Sequence, residues 1–280
     1  NSLTRQRFVF ALLVGGVLAL TASAEDTLIV NGDFERGREG WSEFWSRSPG
    51  GAATLDAERK HGGRQALRVE HPGTQDWSVS QQRKLDVQPE QICELTGWLW
   101  VEGEGNATLC VILYDAQNKA IDWSYGGQTV RTAEGWQQVR SRFLIPAHAA
   151  TIVPRLIGTG PAKVWLDDAV LKLAGSVREM RTADLPAQLT VSNPVLEVTL
   201  RTGDGTLAVT DRRTKQTWRQ RSDSPIIVLD AKRTERVINL QLLEPSAMLK
   251  MTATVELDSQ RPELLVSLAA TGQIRIGGEQ

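Results

Sequence analysis

The sequence has few of the residues that build disulfide networks and metal clusters. It contains two cysteines, Cys93 and Cys110, and three histidines among 280 residues. So few thiols exclude a disulfide-rich scaffold, and no cysteine or histidine spacing matches a zinc site. In an oxidising compartment the two cysteines have two alternatives, a disulfide or a pair of buried thiols.

Excess charge and long apolar runs are also lacking. The net charge is −1 at pH 7, so no basic field points to nucleic acid or to an anionic membrane. The longest apolar run, Phe8–Leu20, is shorter than the ~20 residues that span a bilayer. Because it follows Arg5 and Arg7 and precedes the small residues Ala22-Ser23-Ala24, it predicts a signal peptide over 1–24 and a secreted protein. A signal anchor is the alternative.

Motifs of catalysis are missing as well. No G-x-S-x-G, H-E-x-x-H or G-x-G-x-x-G is found, and none of the 33 acidic residues has the setting of a glycosidase carboxylate pair. The sequence therefore gives no catalytic residue. An enzyme, either a glycosidase or a lyase with a catalytic β-sandwich, stays an alternative.

Tryptophan and short alternating runs are what the sequence has in quantity. Nine tryptophans stand against five phenylalanines and two tyrosines, which favours the use of some indole rings at a surface. After residue 24 no amphipathic helix is evident, and short apolar or alternating runs recur between turn residues, which predicts an all-β protein. The predicted strands are 27–30, 65–70, 77–87, 91–101, 107–114, 137–145, 151–157 and 163–173, then 189–201, 206–210, 226–229, 236–243, 248–257 and 263–268.

These runs divide into two domains. Residues 25–173 predict a β-sandwich, 174–188 a linker, and 189–280 a second β-rich accessory domain that is truncated. The predicted fold is thus a jelly-roll sandwich followed by an incomplete one.

The segment 91–114 predicts a hairpin that turns at Gly103-Glu104-Gly105. With a period of two, one face of the hairpin is apolar and belongs to the core. Trp98 and Trp100 lie side by side on the other face, with Tyr114. Either another layer covers that face, or the rings form an open aromatic platform.

An aromatic platform suits sugar rings, whose C–H faces pack on indole while their hydroxyls need polar partners. The predicted carbohydrate site is completed by the loop Ile121–Gly127, which adds two further rings, and by polar side chains at the rim. The members added in this way are Trp123 and Tyr125 from the loop, and Gln81, Gln82, Arg140 and Arg155 from the rim.

Six short motifs follow one another in the first domain. They are Val30-Asn31-Gly32-Asp33-Phe34-Glu35 with Gly40-Trp41, His61-Gly62-Gly63, Ser78-Val79-Ser80-Gln81, Leu95-Thr96-Gly97-Trp98, Gly135-Trp136-Gln137 and Val164-Trp165-Leu166-Asp167-Asp168. In this order they resemble the CenC-type carbohydrate-binding modules, families four and nine, over about residues 26–173. The resemblance implies a galactose-binding-like jelly roll with a sugar cleft lined by aromatic residues of the concave sheet. It also implies packing roles for Trp41 and Trp136.

The same resemblance implies one structural calcium ion. Its ligands would be Glu35, main-chain carbonyls around Lys60–Gly62, and Asp167 or Asp168. Calcium takes six to eight oxygen ligands and mixes carboxylates with carbonyls, which agrees with this set. The alternative is that the two aspartates cap a strand end in solvent.

The second half, from Asn193-Pro194 to the turn Gly203-Asp204-Gly205, resembles the supersandwich domains that precede the catalytic barrel of large glycoside hydrolases. We therefore expect a monomeric, non-catalytic module that binds polysaccharide or oligosaccharide and targets a secreted glycoside hydrolase. A cell-surface adhesion module that binds protein is a further alternative.

Overall fold

The computed structural model describes residues 27–132, 134–181, 183–221 and 226–270. The predicted signal peptide, 1–24, and the last ten residues of the predicted second domain, 271–280, lie outside these residues. Nearly all regular structure is β, which confirms the all-β prediction. The first eleven strands are β1 Trp45–Ser46, β2 Ala52–Asp56, β3 Ala66–His71, β4 Asp76–Ser80, β5 Leu85–Asp86, β6 Gln91–Gly103, β7 Asn106–Tyr114, β8 Ala120–Arg131, β9 Gln137–Leu144, β10 Thr151–Thr159 and β11 Ala162–Ser176.

These strands form two antiparallel sheets packed face to face as a jelly-roll sandwich. The front sheet has the order β1-β4-β10-β7-β8, with β5 beside β10, and the back sheet has the order β2-β3-β11-β6-β9. Side chains alternate along each strand, so every second residue points into one shared apolar core. From 91–114 the core takes Leu95, Leu99, Val101, Leu109, Val111 and Leu113, as the alternation predicts.

The predicted pairing of 91–101 with 107–114 is wrong. The strand β6 pairs with β9 and β11 in the back sheet, whereas β7 pairs with β8 and β10 in the front sheet. At the turn between them, the N–H groups of Glu104 and Gly105 donate to the carbonyl of Pro161, so the chain crosses from one sheet to the other. Side chains that point away from the core on β6 and on β7 therefore lie on opposite sides of the molecule.

Two other strand predictions and one loop prediction also differ from the structure. Residues 27–30 form a bent segment and no strand, although the N–H of Leu28 donates to the carbonyl of Leu171. Residues 77–87 are divided into β4 and β5, and the predicted loop 121–127 belongs to the long edge strand β8. The pairing of β8 with β7 is irregular, and it interrupts the alternation of inward and outward side chains along β8. The sequence pattern therefore did not predict this strand.

The opening motif Val30-Asn31-Gly32-Asp33-Phe34 forms a compact turn. The Asn31 side chain donates to the carbonyls of Gly37 and Glu39 and accepts from the N–H of Arg36. Gly32 packs so tightly against the carbonyl of Ala169 that a Cβ atom would have no room. Phe34 and Trp41 are buried beside each other, and the Trp41 indole donates to the carbonyl of Asn31. The predicted packing role of Trp41 is thus confirmed.

The described part of the second domain contains two four-stranded antiparallel sheets. Eleven of its described residues, among them Val198, Ile238 and Val255, are buried together in a core. The predicted run 189–201 is two strands, separated at Asn193, whose side chain accepts from the N–H groups of Val195 and Leu196. The strands are β12 Gln188–Ser192, β13 Leu196–Arg201, β14 Leu207–Asp211, β15 Thr217–Arg219, β16 Ile227–Arg233, β17 Val237–Glu244, β18 Leu249–Leu257 and β19 Leu264–Ala270.

The two domains meet in a small apolar core of their own, which we call the junction core. The segment predicted as a linker contains the end of β11 and a single helical turn, α1 Val177–Met180. Val177 is buried with Ile92 of the first domain and with residues of the second domain such as Leu243. Arg181 pairs with Glu90 at 2.6 Å and donates to the carbonyl of Val228, so it links both domains.

Candidate carbohydrate site

A cleft crosses the outer face of the front sheet, and we call it the tryptophan cleft. It has a volume of about 680 Å³. Five strands at a spacing of about 4.8 Å give the sheet a width of about 19 Å, which suits an oligosaccharide better than a single sugar. Its lining consists of Trp45, Arg47, Asp76, Trp77, Ser78, Ser80, Asn106, Thr108, Ile112, Trp123, Ser124, Arg155, Ile157, Gly158 and Thr159.

The strand register explains the concave shape. Trp45 on edge strand β1 lies opposite Ser78, which pairs with Ile157, which in turn pairs with Thr108. The inner strands therefore carry small or medium side chains on this face. At the other edge, Trp123 projects from β8. Trp45 is 50% exposed and Trp123 60% exposed, so two open indole rings flank a lower floor.

Three charged side chains line the tryptophan cleft. Arg47 binds Asp76 through two hydrogen bonds, of 2.5 and 3.0 Å, and lowers the pKa of that carboxyl below its usual range. Arg155 lies in the floor and donates to the carbonyl of Trp123 at 3.3 Å. Burial lowers the pKa of the Arg155 guanidinium from its ordinary value. Hydroxyl groups of Ser78, Ser80 and Thr108 add polar partners among the apolar surfaces.

The structure brings only part of the predicted site together. Trp123 and Arg155 share the tryptophan cleft. Tyr114, Gln81 and Tyr125 do not line it. Gln81 bonds the main chain of Val30 with both its amide atoms, and the Tyr125 hydroxyl donates to the carbonyl of Leu144. Tyr114 lies beneath the ammonium group of Lys84 at 3.5 Å.

Trp98 and Trp100 lie on the outer face of the back sheet, away from the tryptophan cleft. The segment 57–64 packs against part of each ring there. The His61 ring stacks on Trp98 with 3.9 Å between centroids, and Arg59 inserts between Trp100 and Trp165 at 4.2 Å from each ring. The two tryptophans do share a face, as predicted, and both are half-buried there. A second cleft of about 510 Å³ on this face is lined by Trp100, Trp136 and Trp165, so the segment 57–64 covers the aromatic face only in part.

The other two predicted rim residues, Gln82 and Arg140, do not line the tryptophan cleft either. Arg140 binds Glu94 at 2.8 Å, and Gln82 donates to the carbonyl of Trp41. Trp136 packs edge-on against Trp100, which agrees with its predicted packing role. Sequence reasoning missed Trp45, because it lies in a strand of only two residues without visible alternation.

The residues predicted to bind calcium gather around the segment 60–64, but their oxygens face N–H donors. Glu35 accepts from Arg64, Asp167 accepts from the N–H groups of His61 and Gly62, and Asp168 lies 2.7 Å from Nδ1 of His61. The Lys60 ammonium donates to the carbonyl of Ala57.

Burial raises the pKa of Asp167, although the bound N–H groups oppose this. Among the residues that the structure describes, no group of three or more histidine, cysteine, aspartate or glutamate side chains is placed to hold a metal. In this arrangement the carboxylates are bound to N–H groups and do not form a calcium site. Calcium binding stays a prediction of the family resemblance. Melting temperatures measured with and without EDTA test it, and an unchanged value would argue against structural calcium.

Both cysteines are free and buried. Burial raises the pKa of each thiol to about 12. Neither thiol is therefore a nucleophile at neutral pH. No helix among the described residues is long and apolar enough to span a membrane.

The family comparison identifies the first domain. Residues 26–162 match the family described as a carbohydrate binding domain. They form a carbohydrate-binding domain of this family. The match begins before the turn of Asn31 and ends at the start of β11, so it includes every strand of the tryptophan cleft. No curated protein matches the chain.

Solved structures of carbohydrate-binding modules are similar to the chain. The tandem CBM22-1–CBM22-2 domain of Paenibacillus barcinonensis Xyn10C is 17% identical with a TM-score of 0.43, and the match covers 90% of this chain and 84% of that one. The family 16 carbohydrate binding module-2 is 20% identical, with a TM-score of 0.39 and coverage of 51% and 98%. The enzymatically active domain of bacteriophage CBA120 tailspike protein 4 is 12% identical with a TM-score of 0.43. That match covers 52% of this chain and about a fifth, 21%, of the tailspike domain.

Proposed function

We propose that the tryptophan cleft of the carbohydrate-binding domain binds a polysaccharide and thereby targets a secreted glycoside hydrolase to its substrate. The observation that carries the proposal is the pair of exposed rings, Trp45 and Trp123, on opposite edges of a largely apolar floor that carries hydroxyl and guanidinium groups. Indole rings at an open surface lose little entropy on binding and pack on the C–H faces of sugars. The floor supplies hydroxyl and guanidinium groups for the sugar hydroxyls.

Targeting works through effective concentration. A module that holds one part of a polymer keeps an attached enzyme near many equivalent bonds of the same polymer. No contact between the module and the catalytic step is needed. Export through the predicted signal peptide would place the protein where insoluble polysaccharides occur.

Alanine substitutions of the two exposed rings test the site. We expect Trp45→Ala and Trp123→Ala each to weaken binding roughly tenfold, because each removes an apolar contact worth about 1.5 kcal/mol. Pull-down on a broad panel of insoluble polysaccharides would find the ligand, and titration calorimetry would give the affinities of the wild type and the variants.

Trp218→Ala is the matched control, since Trp218 lies on β15 of the second domain and is 51% exposed. It should bind like the wild type. Absence of binding across the panel would refute carbohydrate binding by the full chain. If Trp98→Ala abolished binding while Trp123→Ala did not, the sugar site would be on the back sheet instead.

A further inference from the structure

Arg155 in the floor of the tryptophan cleft has an unusual set of neighbours for a half-buried cation. Its Nη1 makes one long hydrogen bond, 3.3 Å, to the carbonyl of Trp123. Its Nε is buried and has no hydrogen-bond partner. Within the described part of the chain, no carboxylate forms an ion pair with this guanidinium. The Trp123 ring lies 5.9 Å from the guanidinium carbon, so a weak cation–π contact replaces part of the lost hydration. The rest is not replaced, which makes the group costly to bury.

The carboxylates nearest to the cleft are already occupied. Asp76, the acidic residue of the lining, is bound through two hydrogen bonds by Arg47, and this pair is neutral as a whole. The Asp76 carboxylate also attracts Arg155 through space, but it forms no ion pair with that guanidinium within the described residues. Asp122 on β8 accepts from the N–H of Ser124 and lies outside the lining. The charged side chains of the lining therefore sum to one positive charge, which belongs to Arg155.

We propose that the polysaccharide bound in the tryptophan cleft is acidic and that a uronic acid carboxylate of it binds Arg155. This inference rests on the proposed function of the cleft and names its substrate class. The guanidinium is planar and offers paired N–H donors, which match the two oxygens of a carboxylate better than a single sugar hydroxyl. The carboxylate of the ligand would be the ion-pair partner of Arg155, while Trp45 and Trp123 pack on the sugar rings on either side.

A sulfate ester on the sugar would present the same negative charge. A carboxylate is favoured because the described lining of the cleft offers one cation without an ion-pair partner, and its donors lie in a plane. The tetrahedral sulfate group gains more from a cluster of cations. A sulfated polymer is thus one arm of the test.

The experiment compares each acidic polymer with its own carboxyl-reduced product, which keeps the linkage and removes the charge. Suitable probes are polygalacturonate, polymannuronate and glucuronoxylan, and carrageenan is the sulfated probe. For the full chain we expect at least one acidic polymer to bind about tenfold more tightly than its reduced product at low salt. This ratio should decrease at high salt because the interaction is ionic.

Arg155→Gln should bring the ratio close to one, and Arg155→Lys should keep part of it. Arg219→Gln makes the same change of charge on β15 of the second domain and should leave the ratio unchanged. Melting temperatures of the variants establish that each is folded.

Equal binding of acidic and reduced polymers by the wild type would overturn the proposal and leave carbohydrate binding intact. Preference for carrageenan would overturn the uronic acid assignment. An unchanged ratio in Arg155→Gln would show that a group other than Arg155 binds the carboxylate of the polymer, and this would overturn the proposal. Failure to bind any polymer would contradict the proposed function itself.

Discussion

Replacing Glu94 by glutamine is expected to lower the free energy of unfolding by about 3 kcal/mol. Glu94 lies on β6, and only 5% of its side chain is exposed. Its carboxylate binds Arg140 and Arg142 and lies 3.4 Å from the ammonium group of Lys172. The substitution leaves three cations close together without their shared anion. Urea denaturation of the wild type and the variant measures the loss.

The matched control is Glu102→Gln, since Glu102 pairs with Arg59 but is 41% exposed. Exposed ion pairs contribute about 0–1 kcal/mol, so this variant should stay close to the wild type. If Glu94→Gln were as stable as the wild type, then hydration of Arg140, Arg142 and Lys172 would be enough to offset the loss of their shared carboxylate.

The pH dependence of stability follows from the same contacts. Burial acts to raise the pKa of Glu94, but hydrogen bonds from Arg140 and Arg142 outweigh it, so the pKa lies below its ordinary value of 4.5. A carboxyl whose pKa is lower in the folded state stabilises the fold above its unfolded pKa. This stabilisation is lost as the pH decreases through the folded value. Glu94→Gln should therefore show a smaller loss of stability between neutral and acidic pH.

Replacing Gly158 by alanine is expected to destabilise the protein by about 3 kcal/mol. Gly158 is on β10, in the middle of the front sheet, and the Trp77 ring fills the space where its side chain would be. A Cβ atom there would lie 2.5 Å from that ring and closer still to the main-chain oxygen of Asn106. The ring is 1% exposed, so neither it nor the strand can move without disturbing the core.

Gly135→Ala is the control, because no atom lies within 4 Å of the Cβ position at Gly135. Its stability should stay within about 0.5 kcal/mol of the wild type. Thermal denaturation compares the two variants. Since Gly158 also lines the tryptophan cleft, weakened sugar binding without loss of stability would show that the cleft, not the core, absorbs the change.

Much of the fold could be predicted from the alternation of apolar and polar residues, because a half-buried strand exposes every second side chain. The core residues Leu95 and Leu109 follow that rule. Alternation does not tell which sheet a strand joins. The predicted hairpin failed because long-range hydrogen bonds to Pro161 turn the chain across the sandwich, and no local pattern reports them.

Only part of the site could be predicted from the sequence, because long-range strand pairing also decides which side chains meet in the cleft. Trp123 and Arg155 are separated by more than thirty residues, and pairing through β7 brings them together. Trp98 and Trp100 have the spacing of an exposed platform, but the segment 57–64, which packs against part of each ring, lies more than thirty residues earlier. An open aromatic face and an aromatic face that another segment partly covers show the same alternation along the strand. The alternation alone therefore could not tell them apart.

The junction core couples the two domains thermodynamically. Melting either domain would expose Val177, Ile92 and Leu243 to water and release Arg181 from its partners on both sides. The cost of that exposure favours a single cooperative transition over two independent ones. Calorimetry should show one endotherm for the chain, and Arg181→Ala together with Val177→Ser should split it into two. Two endotherms in the wild type would mean that the domains unfold independently.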